Sequence, residues 1–173
     1  GGLTAPDASR FLGSGKREDG KRGLSNRVGK TAIITIDGSL VNRGAWIGTD
    51  SGLQSYEGLD AQLREAAGDR DVASILLDID SPGGEATGMY GLAETVRTIA
   101  AEKNVVAFVN DMAASAAYGI ASAAREIVVS PTSVVGSIGV VLTHLDRSGE
   151  LEQKGIRPTL IHAGAHKVDG NSF

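Results

Sequence analysis

The chain has 173 residues, 41% hydrophobic and 22% charged, with a formal net charge of −4; that suffices for one domain with a sizeable core and is short for two. The absence of cysteine excludes disulfides, thiolate metal sites and a cysteine nucleophile, and three histidines (His144, His162, His166) argue against a multi-histidine metal centre. No stretch approaches the roughly 18 uninterrupted apolar residues that span a bilayer, and the start lacks the basic-then-apolar order of a signal peptide, so a soluble chain with no membrane partner is expected.

Residues 1–30 carry seven Lys and Arg against three Asp and Glu, while residues 31–173 carry ten against eighteen. A basic arm of this kind is able to touch nucleic acid or an acidic partner. Its seven glycines and unperiodic apolar residues predict instead a flexible, solvated leader with no nucleic-acid role. Within it, Gly13-Ser-Gly-Lys16 is only a fragment of a phosphate loop: the upstream Gly is missing, Arg17 stands where Ser or Thr is needed, and no strand precedes.

From residue 31 onward strand-like and helix-like segments alternate, the mark of an α/β domain over 31–173. Strands are predicted at 31–37, 73–79, 105–109, 126–129, 137–142 and 158–162, and helices at 58–67, 88–101, 115–124 and 145–154. In the second helix Met89, Leu92, Val96 and Ile99 recur at three- and four-residue spacing, so one face packs on a sheet. The run Ala73-Ser-Ile-Leu-Leu-Asp-Ile79 reads as a strand buried on both faces. Residues 38–55 read as an irregular loop that holds the single tryptophan, Trp46, as a packing residue or a substrate wall.

Three segments place unusual residues where packing alone would not ask for them. Asp80-Ser-Pro-Gly-Gly84 follows the buried strand. It is either an anion hole of bare N–H groups near a helix N-terminus or a tight turn that needs Gly for positive φ. Ser115 falls where a strand gives way to a helix of small residues, as a hydroxyl held beside the Ala116 N–H or as a simple helix cap. Lys167 lies in the small-residue loop Gly164-Ala-His-Lys-Val-Asp-Gly170, next to His166 and near Asp169. It is a solvated surface charge unless desolvation or nearby positive charge turns it into a base.

Together these segments resemble the S49 peptidase family, the signal peptide peptidase A relatives. The likeness rests on Ala113-Ala114-Ser115, on Lys167 52 residues further on, on Gly136-Ser-Ile-Gly-Val140 and on Ser81-Pro-Gly-Gly84, and it covers about residues 31–173. It implies a crotonase/ClpP-like α/β fold with stacked sheets flanked by helices, and a serine endopeptidase that needs no metal or other cofactor. Ser115 is then the nucleophile, Lys167 the general base, Ser137 the residue that assists the lysine, Gly84 and Ala116 the oxyanion donors, and Gly83 a substrate-binding residue. A histidine base, His166 or His144, is the weaker option because the family's base falls on the lysine.

Asn110-Asp-Met112 and the run Leu160–Asn171 narrow the likeness to the phage branch, the head-maturation proteases of lambda-type phages. That branch implies scaffold and portal-associated proteins as substrates, inside an assembling procapsid in the host cytoplasm, and a homo-oligomer whose dyad is shared between protomers. A cellular signal-peptide-peptidase-like protease, a crotonase-type acyl-CoA enzyme and a catalytically silent capsid component are the other readings. Two departures from the family are visible. Ala116-Ala117 replace a common Gly-Gly, and the sequence stops six residues after Lys167, so a core shortened at its C-terminus is expected.

Overall fold

The computed structural model of the chain describes residues 15–16, 22–23, 25–43, 52–141 and 143–172. Trp46 and the first two residues of the Gly13–Lys16 fragment lie outside them. The chain forms two compact units, Gly1–Ile138 and Gly139–Phe173. Among the described residues no helix is long and apolar enough to cross a membrane.

The first unit is built on a seven-stranded sheet. Its path runs β3 (Asn26–Val28), β4 (Thr31–Val41), β6 (Ser74–Gly84), β7 (Asn104–Ala114), β8 (Glu126–Val129), with β5 (Leu53–Ser55) beside β4 and β9 (Val134–Gly136) beside β7. Only β3 is antiparallel to its neighbour. A separate antiparallel pair joins β1 (Gly15–Lys16) to β2 (Arg22–Gly23). Residues 15–16, 22–23 and 26–28 of the expected arm therefore pair as strands, and the last three belong to the main sheet. The α/β class expected from the alternating pattern is what the structure shows.

Burial alternates along the three long strands: Ala32, Ile34 and Ile36 on β4, Ile75, Leu77 and Ile79 on β6, Val105, Ala107 and Val109 on β7. The period of two turns these residues to one face. There they form one core with Leu59 and Leu63 of α1 (Tyr56–Gly68), Leu92, Val96 and Ile99 of α2 (Met89–Glu102), and Ala117 and Ile120 of α3 (Ala116–Ala121). Residues 73–79 are thus not buried on both faces as expected: Ser74, Leu76 and Asp78 on the other side are only half-buried, because helices cover one side alone.

Helix ends are held by side chains. Ser55 Oγ accepts from the Gly58 N–H at 3.2 Å and caps α1. At the other end Lys103 Nζ donates to the carbonyls of Ala66 in the last turn, Asp69 at the C-cap and Val72 in the segment that follows, at 3.1, 2.7 and 2.8 Å. Arg125 does the same for α2, its Nε donating to the Ala100 carbonyl at 2.5 Å.

Several expected boundaries move, each for a local reason. The strand expected at 31–37 runs to Val41 and the loop expected over 38–55 ends in β5, because Gly38, at φ +69, stands opposite the two residues Ser81 and Pro82 of a bulge in β6 and lets pairing resume at Ser39. The helix expected at 115–124 covers only Ala116–Ala121, closed by Ser122 Oγ donating back to the Gly119 carbonyl. Residues 137–141 form no strand: Gly136, Ser137 and Gly139 have φ of +123, +55 and +122, which turn the chain out of the extended region.

The second unit is small. Its helix α4 (Ser148–Gln153) starts three residues later than expected, because Asp146 Oδ1 accepts the Ser148 N–H at 2.8 Å and forms a turn there. Residues 158–162 are not a strand: they are exposed, and no described strand forms a ladder with them.

Candidate active site

The site begins at two places where the chain leaves ordinary conformations. Among the described residues only two non-glycines have positive φ, and both are serines singled out by the sequence: Ser115 at φ 53 and Ser137 at φ 55. Such a conformation costs on the order of 1–3 kcal/mol, so the surrounding structure must impose it. Ser115 links the end of β7 to α3 with φ 53 and ψ −118. That is the geometry of the first corner of a tight reverse turn, which presents a side chain at the tip of a strand.

Ser115 also stands at the N-cap position of α3, yet its side chain makes no capping hydrogen bond. Ser55 does cap α1, so the contrast removes the simple cap as an account of Ser115. Backbone bonds fix the turn: the Ser115 N–H donates to the Gly136 carbonyl at 2.8 Å, and its own carbonyl accepts from the Gly119 N–H at 3.0 Å.

β9 places Ser137. It pairs in parallel with the last residues of β7, Ala113 opposite Val135 and Ala114 opposite Gly136. The next residue on each strand is a serine, so the register sets Ser137 beside Ser115. Ser115 is half-buried and Ser137 exposed.

The Ser81-Pro-Gly-Gly84 segment comes to the same place from β6, though not as a turn running into a helix. The strand continues through Gly84, with Gly83 opposite Ser39 and Gly84 opposite Leu40, and α2 starts only at Met89. The N–H groups of the segment thus belong to a strand end rather than to a helix N-terminus. Gly83 has φ +97 and is buried. A Cβ there would lie 2.7 Å from the Ala114 carbonyl oxygen, 2.8 Å from Ser115 Cβ and 3.0 Å from the Ala116 nitrogen. Only glycine lets β6 approach the Ser115 turn this closely.

Gly84 is exposed, and a Cβ on it would collide with the Leu40 backbone. The next residue is clamped three ways: the Glu85 N–H donates to the Leu40 carbonyl at 2.8 Å, its carboxylate accepts the Asn42 N–H at 2.7 Å, and its carbonyl accepts the Tyr56 hydroxyl at 2.6 Å. Burial, with help from the Glu85 carboxylate, pushes the Tyr56 hydroxyl up to about 12, so it stays a donor across the neutral range. The sequence offered no direct signal for this clamp, since it joins residues from β4, α1 and the β6–α2 loop.

Gly83, Gly84, Ser115, Ala116 and Ser137 are therefore gathered in the first unit, with Ala116 buried as the first residue of α3. Lys167 belongs to the second unit, where it is exposed in a turn whose N–H bonds to the Gly164 carbonyl at 3.4 Å. Both histidines weighed as bases have partners there: His166 Nδ1 lies 2.9 Å from Asp169 Oδ2, and His144 Nε2 lies 2.6 Å from the Asn171 carbonyl.

Beyond the site, Asp37, Asp80 and Asp111 gather on strands β4, β6 and β7. Burial first, and then the Asp111 and Asp37 carboxylates, hold the Asp80 carboxyl above the ordinary range.

The chain is 40% identical to the head-tail preconnector protein GP5 of Enterobacteria phage P21 over 96% of its own length and 33% of that protein. It is 38% identical to the capsid assembly protease C of Escherichia phage lambda over 99% of its length and 39% of that protein. The chain thus spans between a third and two fifths of these relatives. A solved enoyl-CoA hydratase/isomerase family member overlaps 77% of this chain and 52% of its own at 16% identity, with a TM-score of 0.49. The model of peptidase family S49 matches residues 97–173, the stretch that carries Ser115, Ser137 and Lys167. Over that stretch the chain is similar to peptidase family S49.

Proposed function

We propose that this chain is the catalytic part of a serine endopeptidase in which Ser115 is the nucleophile and Lys167 the general base. The observation that carries the reading is the strained Ser115 turn, uncapped, with Gly83 packed against it and Ser137 beside it. Neutral Lys167 takes the Ser115 hydroxyl proton as Oγ bonds to the scissile carbonyl carbon, and the backbone N–H groups of Gly84 and Ala116 hold the resulting oxyanion. Lys167 returns the proton to the departing amine as the C–N bond breaks, and a water deprotonated by the same amine hydrolyses the acyl-enzyme. Ser137 orients the lysine. Gly83 helps seat the peptide beside Ser115.

A lysine serves as base only when desolvation or a nearby positive charge lowers its pKa. Lys167 is exposed in the single chain, so the active form is proposed to be a homo-oligomer whose neighbours contribute to the site. The names of the relatives, a capsid assembly protease and a head-tail preconnector, support a role in phage head maturation. Scaffold and portal-associated proteins in the procapsid, within the host cytoplasm, are the proposed substrates.

The test incubates wild type, Ser115→Ala and Lys167→Ala with scaffold protein and maps new ends by mass spectrometry. Cutting by wild type alone is expected, with each variant down by more than about 10³-fold. Undiminished cutting by Ser115→Ala would refute the nucleophile, and by Lys167→Ala the base.

A further inference from the structure

We propose that Ser81 is a positioning residue for the oxyanion arm: its buried hydroxyl bridges the Gly38 carbonyl of β4 to the Gly83 N–H and so holds the Gly83-Gly84 peptide against Ser115. The proposal rests on the reading of Ser115 as nucleophile.

Ser81 has no solvent exposure. Its Oγ donates to the Gly38 carbonyl at 2.6 Å and accepts from the Gly83 N–H at 3.1 Å. The need for this hydroxyl follows from the ladder. Pairing of β4 with β6 runs to Asp37 opposite Asp80 and resumes at Ser39 opposite Gly83, so Gly38 alone faces Ser81 and Pro82. Proline has no N–H to offer the Gly38 carbonyl, and the Ser81 hydroxyl reaches it instead.

On the other side of β6 the register also shifts. Ile79 pairs with Val109, but Ser81 pairs with Ala113, two residues before Ser115. Ser81 is therefore the point where β6 regains register with β7, two residues before it regains register with β4 at Gly83. One hydroxyl satisfies a carbonyl on β4 and an N–H on the residue that touches Ser115. Without it, two backbone groups lose their partner, and Gly83, at φ +97, is released at the place where a few tenths of an ångström are felt by Ser115.

The test uses the full chain and a fluorophosphonate probe, which bonds phosphorus to Ser115 Oγ as fluoride leaves and the hydroxyl proton passes to the base. Its phosphoryl oxygen occupies the oxyanion position, so labelling reads the N–H donors without a known substrate. Wild type, Ser115→Ala, Ser81→Ala and the shape-matched pair Ser81→Thr and Ser81→Val are compared for labelling rate against pH and for thermal melting. Thr95→Val is the control: it removes another buried hydroxyl, bonded to Asp60 at 2.7 Å, on α2.

Ser81→Ala is expected to lower the plateau of the pH profile by about 10- to 100-fold, less than or equal to loss of a whole donor, with the midpoint unmoved because the base is untouched. Ser81→Thr should label at least about 10-fold faster than Ser81→Val, since any crowding is common to both and only the hydroxyl differs. Thr95→Val should melt lower and label like wild type.

Labelling of Ser81→Ala within about twofold of wild type, or equal rates for Ser81→Thr and Ser81→Val, overturns the proposal while leaving Ser115 as nucleophile. So does a Ser81→Ala chain that is unfolded at the assay temperature where Thr95→Val is folded, because the hydroxyl is then structural. Wild type that fails to label, or Ser115→Ala that labels equally, overturns the nucleophile and this proposal with it.

Discussion

Replacing Gly83 by alanine tests the packing of the site directly. The residue sits at φ +97, and an added Cβ would meet the Ala114 oxygen at 2.7 Å, Ser115 Cβ at 2.8 Å and the Ala116 nitrogen at 3.0 Å. The backbone conformation alone costs an L-residue about 1–2 kcal/mol, and overpacking against backbone that cannot swing aside adds about 1–3 kcal/mol. Gly83→Ala is therefore expected to lose roughly 2–5 kcal/mol in urea unfolding, which for a chain of this size moves melting down by roughly 5–20 °C.

All three contacts belong to the Ser115 turn, so strain relief displaces the nucleophile from its N–H partners. A displacement near 1 Å lowers fluorophosphonate labelling by about 10². Gly91→Ala is the matched comparison: this glycine lies inside α2 with open space at its Cβ position, and the change should stabilise by about 0.4–1 kcal/mol. A Gly83→Ala chain that matched wild type in both unfolding and labelling would refute the close-approach account.

Other consequences follow from the same structure. Lys103→Met removes donors from the Ala66, Asp69 and Val72 carbonyls and should cost about 2–3 kcal/mol in urea unfolding, with labelling of Ser115 unchanged. Burial and then the neighbouring carboxylates raise Asp80, so its charge opposes folding at neutral pH. Asp80→Asn is expected to raise the melting temperature there, and the gain should vanish in acid once Asp80 is protonated in wild type. Burial, and then the Glu85 carboxylate, push the Tyr56 hydroxyl from its ordinary 10.0 up to about 12. Its contribution to stability is whole below pH 10 and is lost as pH rises through 12; Tyr56→Phe should flatten that limb in alkaline unfolding and remove a late-titrating phenolate from the ultraviolet spectrum.

Much of the fold is legible because the physical signal is local. Apolar runs through Ile34-Thr-Ile36, Ile75-Leu-Leu77 and Val105-Val-Ala107 mark the strands, though only the first alternates and so shows a single core face in the sequence, and the spacing of Leu92, Val96 and Ile99 marks the helix laid on the sheet. The same period, extended from Ile75, Leu77 and Ile79, reaches Ser81 and puts its hydroxyl on the core side. That was the available signal for a buried serine, and the Ser-Pro-Gly-Gly pattern obscured it by reading as a turn.

The exposed apolar residues mislead for the converse reason. Ile138, Val140 and Ile161 resemble strand residues in sequence, yet they are 82%, 84% and 98% exposed and join no ladder, because pairing needs an available edge and not only a pattern.

The order of elements was thus decided by residue type and spacing, while the resemblance to S49 peptidases singled out the candidate serine, the glycines one strand earlier and the lysine beyond them. The tertiary structure alone decided that β6 runs on through Gly84, that Gly83 touches the Ser115 turn, and that Ser115 and Ser137 share a strained backbone side by side. The reason is physical: serine has no preference of its own for positive φ. That conformation exists only where contacts between β6, β7 and β9, distant in sequence, hold the chain in it.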